Sequence, residues 1–468
     1  MSYLLTEPEM LAAAATDMES IGSALDTAAT DVAGPTTGLA PAAEDEVSAA
    51  VARLFGAYAQ EYQAVIAKAE AFHSEFTLAL AAAANAYTHA ETAATALLSS
   101  ETPSSSTSLD PLKALIIGNT GNPLPDPNYV TSVFNAYIQP NPRFGGATPQ
   151  GLTTPQQFFP LGRLTLGQSV TQGVTILNNA LLGPTGVLTQ GNSAVVAGFS
   201  QGALIETEQI KALLALPSGQ QPSASQLSFV LLGDPNNPDG GLLARFPGFY
   251  IPILDVPFIG ATPQSPWHTE IYTIQYEGGA DFPQYPLNVV SDLNAILGGL
   301  EHPNYPFLTA SQVANAVPLP TSGGNTEYFL FPTQNLPLLH PLRLIPFVGN
   351  PIADLLQPDL RVIVDLGYAG YGPGGNFANI PTPAGLFSVP NPFVVIPDLA
   401  TGAVQGVQAF LVDLGLLPAS ALPTTYPFVP SIDPQLHFFF GQPSTTLLSI
   451  ASGALGDVFK LIPPLMLG

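Results

Sequence analysis

Ser200 is the residue of this sequence best placed to do chemistry. It stands in a Gly-x-Ser-x-Gly pentad, Gly198-Phe199-Ser200-Gln201-Gly202. A serine hydroxyl that attacks an acyl carbon needs a base within hydrogen-bond reach, an acid to orient that base, and donors for the oxyanion. After a nucleophile elbow these partners come in the order serine, acid, histidine. Downstream of Ser200 the histidines are His268, His302, His340 and His437, and the acids at strand ends are Asp234 and Asp281. Asp281 with His302 is the preferred pair, because both fall in loops flanking a helical pattern from Leu287 to Leu297. Asp234, in Gly-Asp-Pro-Asn-Asn-Pro, reads as a turn former. His268, beside Trp267, precedes a strand and lies on the wrong side for a base; His340, in Leu-Leu-His-Pro, is the rival. One oxyanion donor is expected from the backbone N–H of Gln201, the other from the loop after the first strand, at Asn119 or Thr120.

These groups need a strand, a sharp turn and a helix to hold them. The apolar run Ala194 to Ala197 enters the pentad, and Ala203 to Leu213 leaves it with a helical pattern. Glycine is required at 198 and 202 because two stretches of backbone pass close there and a Cβ would collide. Further short apolar strands are expected at Lys113–Ile117, Phe229–Leu232 and Glu270–Tyr276, with helical patterns between. That alternation indicates a parallel α/β sheet with its ligand at the carboxyl ends of the strands. From Tyr328 onward the chain is rich in proline, phenylalanine and leucine. Arg361–Asp365 reads there as a strand extending the sheet, and Thr401 to Leu416 as an amphipathic helix. The stretch 346–468 is either a lid or acyl-binding surface over Ser200, or a structural extension wrapped on the core.

Composition narrows the partners. The 468 residues carry 34 acids against 10 Lys and Arg, a net charge of -24. Nucleic acid is excluded, since a phosphate backbone calls for a basic footprint. Only 9% of residues are charged and 49 are proline, so the surface must be apolar and loop-rich, suited to lipid or to a partner. With no cysteine there is neither a disulfide nor a thiolate metal site. No paired-histidine metal site, phosphate loop or dinucleotide fingerprint appears, so no cofactor is expected. The start, Met1-Ser2-Tyr3-Leu4-Leu5-Thr6-Glu7, lacks the basic-then-apolar form of a signal peptide, and no uninterrupted apolar run of about 18 residues would span a bilayer.

The first hundred residues are of another kind. Apolar positions at Leu11, Ala15, Met18, Ile21, Leu25, Ala28 and Val32 mark one helix, and Val47, Val51, Leu54, Tyr58, Tyr62, Val65, Ala69, Phe72, Phe76 and Leu80 a second. Gly34-Pro35 separates them, which gives an antiparallel helical hairpin over 1–95. Alone it cannot bury both stripes, so it wants a partner helix pair or else self-associates. A Ser-rich stretch, Ser99 to Ser108, makes 96–110 a flexible linker.

The hairpin, with Pro8-Glu9 and the Tyr-x-x-x-Glu of Tyr87-Thr88-His89-Ala90-Glu91, closely resembles the mycobacterial PE domain. That resemblance implies a four-helix bundle with a PPE-family partner. It also implies export by the type VII secretion machinery, with Tyr87 and Glu91 as the signal and no cleavable Sec-type peptide, to a secreted or cell-wall location. Residues from about 110 to 345 resemble the PE-PPE domain, a cutinase-like serine α/β-hydrolase. The matching segments are Gly118-Asn119-Thr120-Gly121-Asn122-Pro123, the pentad, Asp281-Phe282-Pro283-Gln284-Tyr285-Pro286 and His302-Pro303-Asn304-Tyr305. The family would make Ser200 the nucleophile, Asp281 the orienting acid and His302 the base. The architecture expected is thus an N-terminal α-helical hairpin, a Ser-rich linker, an α/β-hydrolase-type domain over 111–345 and a Pro-rich C-terminal extension over 346–468. The expected activity is hydrolysis of short- to medium-chain acyl esters, of lipids in particular. The alternatives are acyl transfer to cell-envelope glycolipids, and a non-catalytic surface adaptor acting through the hairpin.

Overall fold

Residues 112–464, apart from 218, 373 and 442–444, are described by the computed structural model, together with scattered positions between 23 and 63. The hairpin as a pair, its Pro8-Glu9 start, the 96–110 linker, Tyr87 and Glu91 lie outside the described residues. Contacts within the chain gather into two units, the larger being Ser108–Leu467.

That larger unit is built on a seven-stranded sheet. In chain order its strands are β1 (Leu112–Ile117), β2 (Thr148–Leu152), β3 (Ser193–Phe199) and β4 (Leu227–Leu232). A two-stranded ribbon of β5 (Tyr250–Ile251) and β6 (Val256–Pro257) intervenes, then come β7 (His268–Ile274), β8 (Val317–Pro318) and β9 (Thr326–Phe331). The sheet order is β2-β1-β3-β4-β7-β9-β8, parallel except for the edge pair β8/β9. The central strands are apolar throughout because helices cover both faces. Leu115, Ile117, Val196, Phe229 and Leu231 point to one face; Ala114, Ile116, Val195, Ala197, Val230 and Leu232 to the other. β1 and β3 are neighbours whose onward connections leave in opposite directions. A crevice therefore opens at their carboxyl ends, where ligands of such sheets bind.

On the first face lie α1 (Leu166–Leu182), started by a Thr165/Gln168 capping box, and α2 (Gln201–Leu214). They pack closely because Gly173 of α1 leaves room for the Ile205 side chain of α2. α1 is patterned for water: Val170, Leu177 and Leu181 are buried, and Thr171, Gln172, Thr175 and Asn179 exposed.

Four later helices belong to the C-terminal half: α3 (Val289–Gly298), α4 (Gly349–Asp365), α5 (Pro392–Asp413) and α6 (Leu447–Phe459). Three of them invert that pattern. α3 buries Ser291, Asn294, Ala295 and Gly298 and exposes Val289, Leu293 and Ile296. α5 buries Gly402, Gln405, Gly406 and Ala409 and exposes Phe393, Ile396, Val404 and Val407. α6 buries Ser449, Ser452 and Gly456 and exposes Leu447, Ile450, Leu455 and Val458. α5 packs along α4, with Gly406 seated on the Leu355 carbonyl. By length and composition alone α5 could cross a membrane; Pro397, Asp398 and Gln405 interrupt its apolar run.

Two sequence expectations change. Arg361–Asp365 is no strand but the last turn of α4, where Arg361 and Asp365, four residues apart, both turn inward. Its β-branched residues suggested a strand, and tertiary packing overrides that preference. β2 and β9 join the sheet without having been anticipated.

Candidate active site

Ser200 sits between β3 and α2 with φ 58° and ψ -112°, a backbone conformation that a residue with a side chain occupies only when its surroundings force it. Its N–H donates to the Leu232 carbonyl at 2.9 Å, and its own carbonyl accepts from Leu204 N–H at 3.0 Å. The flanking glycines are required by contact. A Cβ on Gly198 would meet the Gly202 carbonyl carbon at 2.5 Å and the Glu206 carboxyl, and one on Gly202 would meet the Gly118 carbonyl at 2.8 Å. The serine side chain does not cap α2, which leaves its hydroxyl unspent. Glu206 lies wholly buried beneath the elbow, where burial, reinforced by Asp234, drives its pKa well above the usual carboxylate range.

Gln201 opens α2, so its backbone N–H has no acceptor within the helix. Its side chain ties that helix start to the loop after β1: Nε2 donates to Thr120 Oγ1 at 3.2 Å and to Gln157 O at 2.9 Å, and Oε1 accepts from Ser169 Oγ at 2.8 Å. The loop is itself a tight turn, with Asn122 N–H donating to Asn119 O at 2.9 Å and Asn119 Nδ2 to Thr120 O at 3.1 Å. Gln201, Asn119 and Thr120 are therefore gathered at the carboxyl ends of β1 and β3.

His302 lies in a 3-10 stretch, Gly299–Phe307, and not in an open loop. Its ring packs on Phe199, the neighbour of Ser200, with centroids 4.8 Å apart. Gly233, after β4, leaves the room: a Cβ there would meet Tyr305 Cε2 at 2.8 Å and His302 Cε1 at 3.3 Å. Tyr305 pins the stretch to the sheet, accepting from Ile274 N–H at 2.7 Å through its hydroxyl and from Tyr137 Oη at 2.8 Å through its carbonyl.

The acid beside His302 is Glu277, in place of the Asp281 expected from the sequence. Glu277 Oε1 is 3.1 Å from His302 Nδ1. The two are at ion-pair distance without being aligned as a hydrogen bond. The Glu277 carboxylate is buried and fixed by Gly279 N–H at 2.7 Å and Ala280 N–H at 3.0 Å. Asp281 closes the turn that presents it. Its Oδ2 accepts from Tyr276 N–H at 2.7 Å and its N–H donates to Glu277 O at 2.6 Å. Burial pushes the Asp281 carboxyl up to about 7. The physical reason for the exchange is that Asp281 is taken up in closing the turn at Tyr276, which has φ 67°, while the Glu277 carboxylate lies at the histidine. Gly278 and Gly298 let α3 press on this turn, since a Cβ on Gly278 would meet Ala295 O at 2.5 Å and one on Gly298 would strike Tyr276 O. Glu277 also obeys the serine-acid-histidine order, and the Glu277-Gly278-Gly279 run after a strand was the signal available for it.

The clamp on the turn comes from the C-terminal half. Tyr276 Oη donates to Asp365 Oδ1 at 2.7 Å, Arg361 Nη1 donates to Tyr276 Oη at 3.2 Å, and Tyr368 Oη donates to Asp281 O at 3.1 Å. The remaining candidates find partners elsewhere. Asp234 is a buried turn former, accepting from Asn236 N–H at 2.9 Å and Thr262 Oγ1 at 2.6 Å, with burial raising it to about 7. His268 pairs with Glu270 at 2.9 Å at the amino end of β7, away from the crevice. His340 Nδ1 is 3.5 Å from Glu301 Oε1, and His437 Nε2 is 2.8 Å from Tyr368 O.

Residues 4–94 match the family model described as the PE family, and residues 145–369 that of the PE-PPE domain. A relative named PE family protein PE3, from Mycobacterium tuberculosis (strain ATCC 25618 / H37Rv), is 54% identical over 99% of this chain and 100% of its own. Esterase PE16 of the same strain is 47% identical over 87% of this chain and 76% of its own. Among solved structures, a cutinase-like protein from Cryptococcus sp. aligns at 16% identity over 38% of this chain and 82% of its own, with a TM-score of 0.26, too loose a fit to carry an argument.

Proposed function

Because the chain belongs to the PE family and carries a PE-PPE domain, we propose that it is a serine esterase in which Ser200 is nucleophile, His302 base and Glu277 the acid that orients the base. The observation that carries this reading is the Glu277–His302 contact, with the His302 ring packed on Phe199, the neighbour of a serine held in a strained turn. The similarity to a relative named as an esterase supports it.

In this mechanism Nδ1 of His302 faces Glu277, which leaves Nε2 to take the Ser200 proton as Oγ attacks the ester carbonyl. The negative charge that develops on the carbonyl oxygen goes to the Gln201 N–H and to the loop at Asn119 and Thr120. As the tetrahedral species collapses, the imidazolium returns its proton to the leaving alcohol. Water, deprotonated by the same imidazole, then attacks the acyl-enzyme, and Ser200 leaves with the proton. No charged residue stands in the pentad or in β3 leading into it, which suits an uncharged short- to medium-chain acyl ester.

The test is labelling by a fluorophosphonate probe together with p-nitrophenyl ester hydrolysis, with Ser200→Ala as control. A folded chain that neither takes the label nor turns over the ester would sink the proposal. For the N-terminal region the proposal is a PPE-family partner and export by type VII machinery through Tyr87 and Glu91, to the cell wall or beyond. Co-expression with candidate partners tests it: solubility that no partner changes, and no co-purification, would count against the pairing.

A further inference from the structure

We propose that the outward face of α3, with the tip at 344–348, docks onto an uncharged lipid–water interface, so that the ester reaches the crevice from the lipid side. The docking stands on the surface alone; the delivery of an ester rests on the serine-esterase reading.

α3 is inside out. Val289, Leu293 and Ile296 recur at helical spacing on its solvent face, and Leu300 continues the stripe to within two residues of His302. Two of its polar residues are turned inward: Ser291 Oγ donates to Val364 O at 2.6 Å, and Asn294 Oδ1 accepts from Leu338 N–H at 3.0 Å, while Asp292 is half-buried. A water-facing helix would be arranged the other way round.

The tip supplies the second part. Leu344 is 82% exposed and Phe347 98% exposed. Phe347 has φ 65°, a left-handed conformation that bulky side chains avoid. A phenylalanine is thus held fully out of the core at a conformational cost. Stripe and tip are neighbours in the fold. Asn294 is joined to Leu338, α4 packs against α3, and His340 Nδ1 lies 3.5 Å from Glu301 Oε1, the residue before His302.

Three features select the occupant. The only Lys or Arg residues after Val289 are Arg343, Arg361 and Lys460. Arg343 is paired with Asp354, Arg361 is buried, and Lys460 is paired with Asp457. With a net charge of -24 besides, an anionic surface is disfavoured. A protein partner would ask for about one hydrogen bond per 100–200 Å², whereas the exposed stripe of α3 is Val289, Leu293 and Ile296, and the unpaired side-chain atoms of the helix, Asp292 Oδ1 and Asn294 Nδ2, are buried. Finally, α5 meets α4 through Gly402 and Gly406, the small-residue packing used by helices whose outer faces meet lipid.

The experiment uses the full chain. The Ser200→Ala chain is floated with dioleoylphosphatidylcholine vesicles and with a trioleoylglycerol emulsion, and is expected to rise with both. The triple variant Leu293→Glu, Ile296→Glu, Phe347→Glu, all at exposed positions, should lose flotation and emulsion hydrolysis by at least about tenfold, as three apolar contacts become charged. Its hydrolysis of soluble p-nitrophenyl acetate should stay within about twofold, which also shows that it has folded. The proposal is overturned if the parent chain does not float, if the variant floats equally well, or if flotation requires anionic lipid. It is also overturned if sedimentation finds a dimer that the variant splits while nothing floats, since the face would then join two copies. Flotation without hydrolysis of any ester would leave the docking standing and remove the esterase reading.

Discussion

α1 and α3 differ in which solvent their sequence answers to. Both lie in one unit and both are regular helices, yet α1 hides Leu177 and Leu181 and shows Thr171 and Thr175, while α3 hides Ser291 and Asn294 and shows Leu293 and Ile296. α5 and α6 side with α3. An overall charged fraction of 9% averages two regions built on opposite rules. α1 obeys the rule for water, while α2 is buried on nearly all sides, Glu206, Thr207 and Gln209 included. α3, α5 and α6 turn small and polar residues inward and leave large apolar side chains exposed.

The widest separation between the two regions should appear in catalysis. Ser200→Ala is expected to lower kcat on a soluble ester by at least about 10³-fold, and Glu277→Gln by a comparable factor, from the loss of nucleophile and of imidazole orientation. Asp281→Asn should cost no more than about tenfold, because it acts only through the turn. If Asp281→Asn proves the more damaging, the acid has been misassigned.

Stability offers the next contrast. Leu177→Ala, at a site with no exposure, should cost about 2–5 kcal/mol in urea unfolding, whereas Ile296→Ala, 65% exposed, should fall within about 0.5 kcal/mol. Equal costs would show that α3 is packed against something in solution and would erase the distinction. Gly406→Ala should cost about 1–3 kcal/mol despite its helix-favouring side chain, since its Cβ would overlap Leu355 O.

The smallest effect per unit change is in pH. Asp234 and Asp281 are raised to about 7 and Asp365 to about 6, each by burial. Between pH 4 and 7 the folded chain therefore keeps protons that the unfolded chain has released. Stability should fall as pH rises through that window, by up to about 1.4 kcal/mol per pH unit for each group. Asp234→Asn should flatten the slope in a urea series; an unchanged slope would contradict the burial account.

Much of the α/β layer was legible because its signals are local. The pentad dictates its own turn, β1, β3 and β4 are mostly apolar runs bounded by turns, and β7 shows as an alternating pattern. β2, Thr-Pro-Gln-Gly-Leu, was not legible: it is an edge strand, largely exposed, and so lacks the apolar run. Chain order put His302 forward together with Asp281; Glu277, the carboxylate at His302 in the structure, follows a tyrosine at φ 67° that is held by contacts about 85 residues away in sequence. The amphipathic character of Thr401 to Leu416 was visible too. Periodicity shows that a helix has two faces; it does not say which one turns inward.

The clamp on Tyr276 has one more consequence. Arg361 and Asp365 reach from α4 to set the turn that carries Glu277, and Tyr368 holds Asp281 from just beyond. A gene fragment stopped at the end of β9 would keep the elbow and the histidine yet lose the setting of the acid. Shuffled between chains, the sheet must travel with at least the first helix of its C-terminal neighbour. The stretch through residue 369 that matches the PE-PPE domain is long enough to carry that helix along.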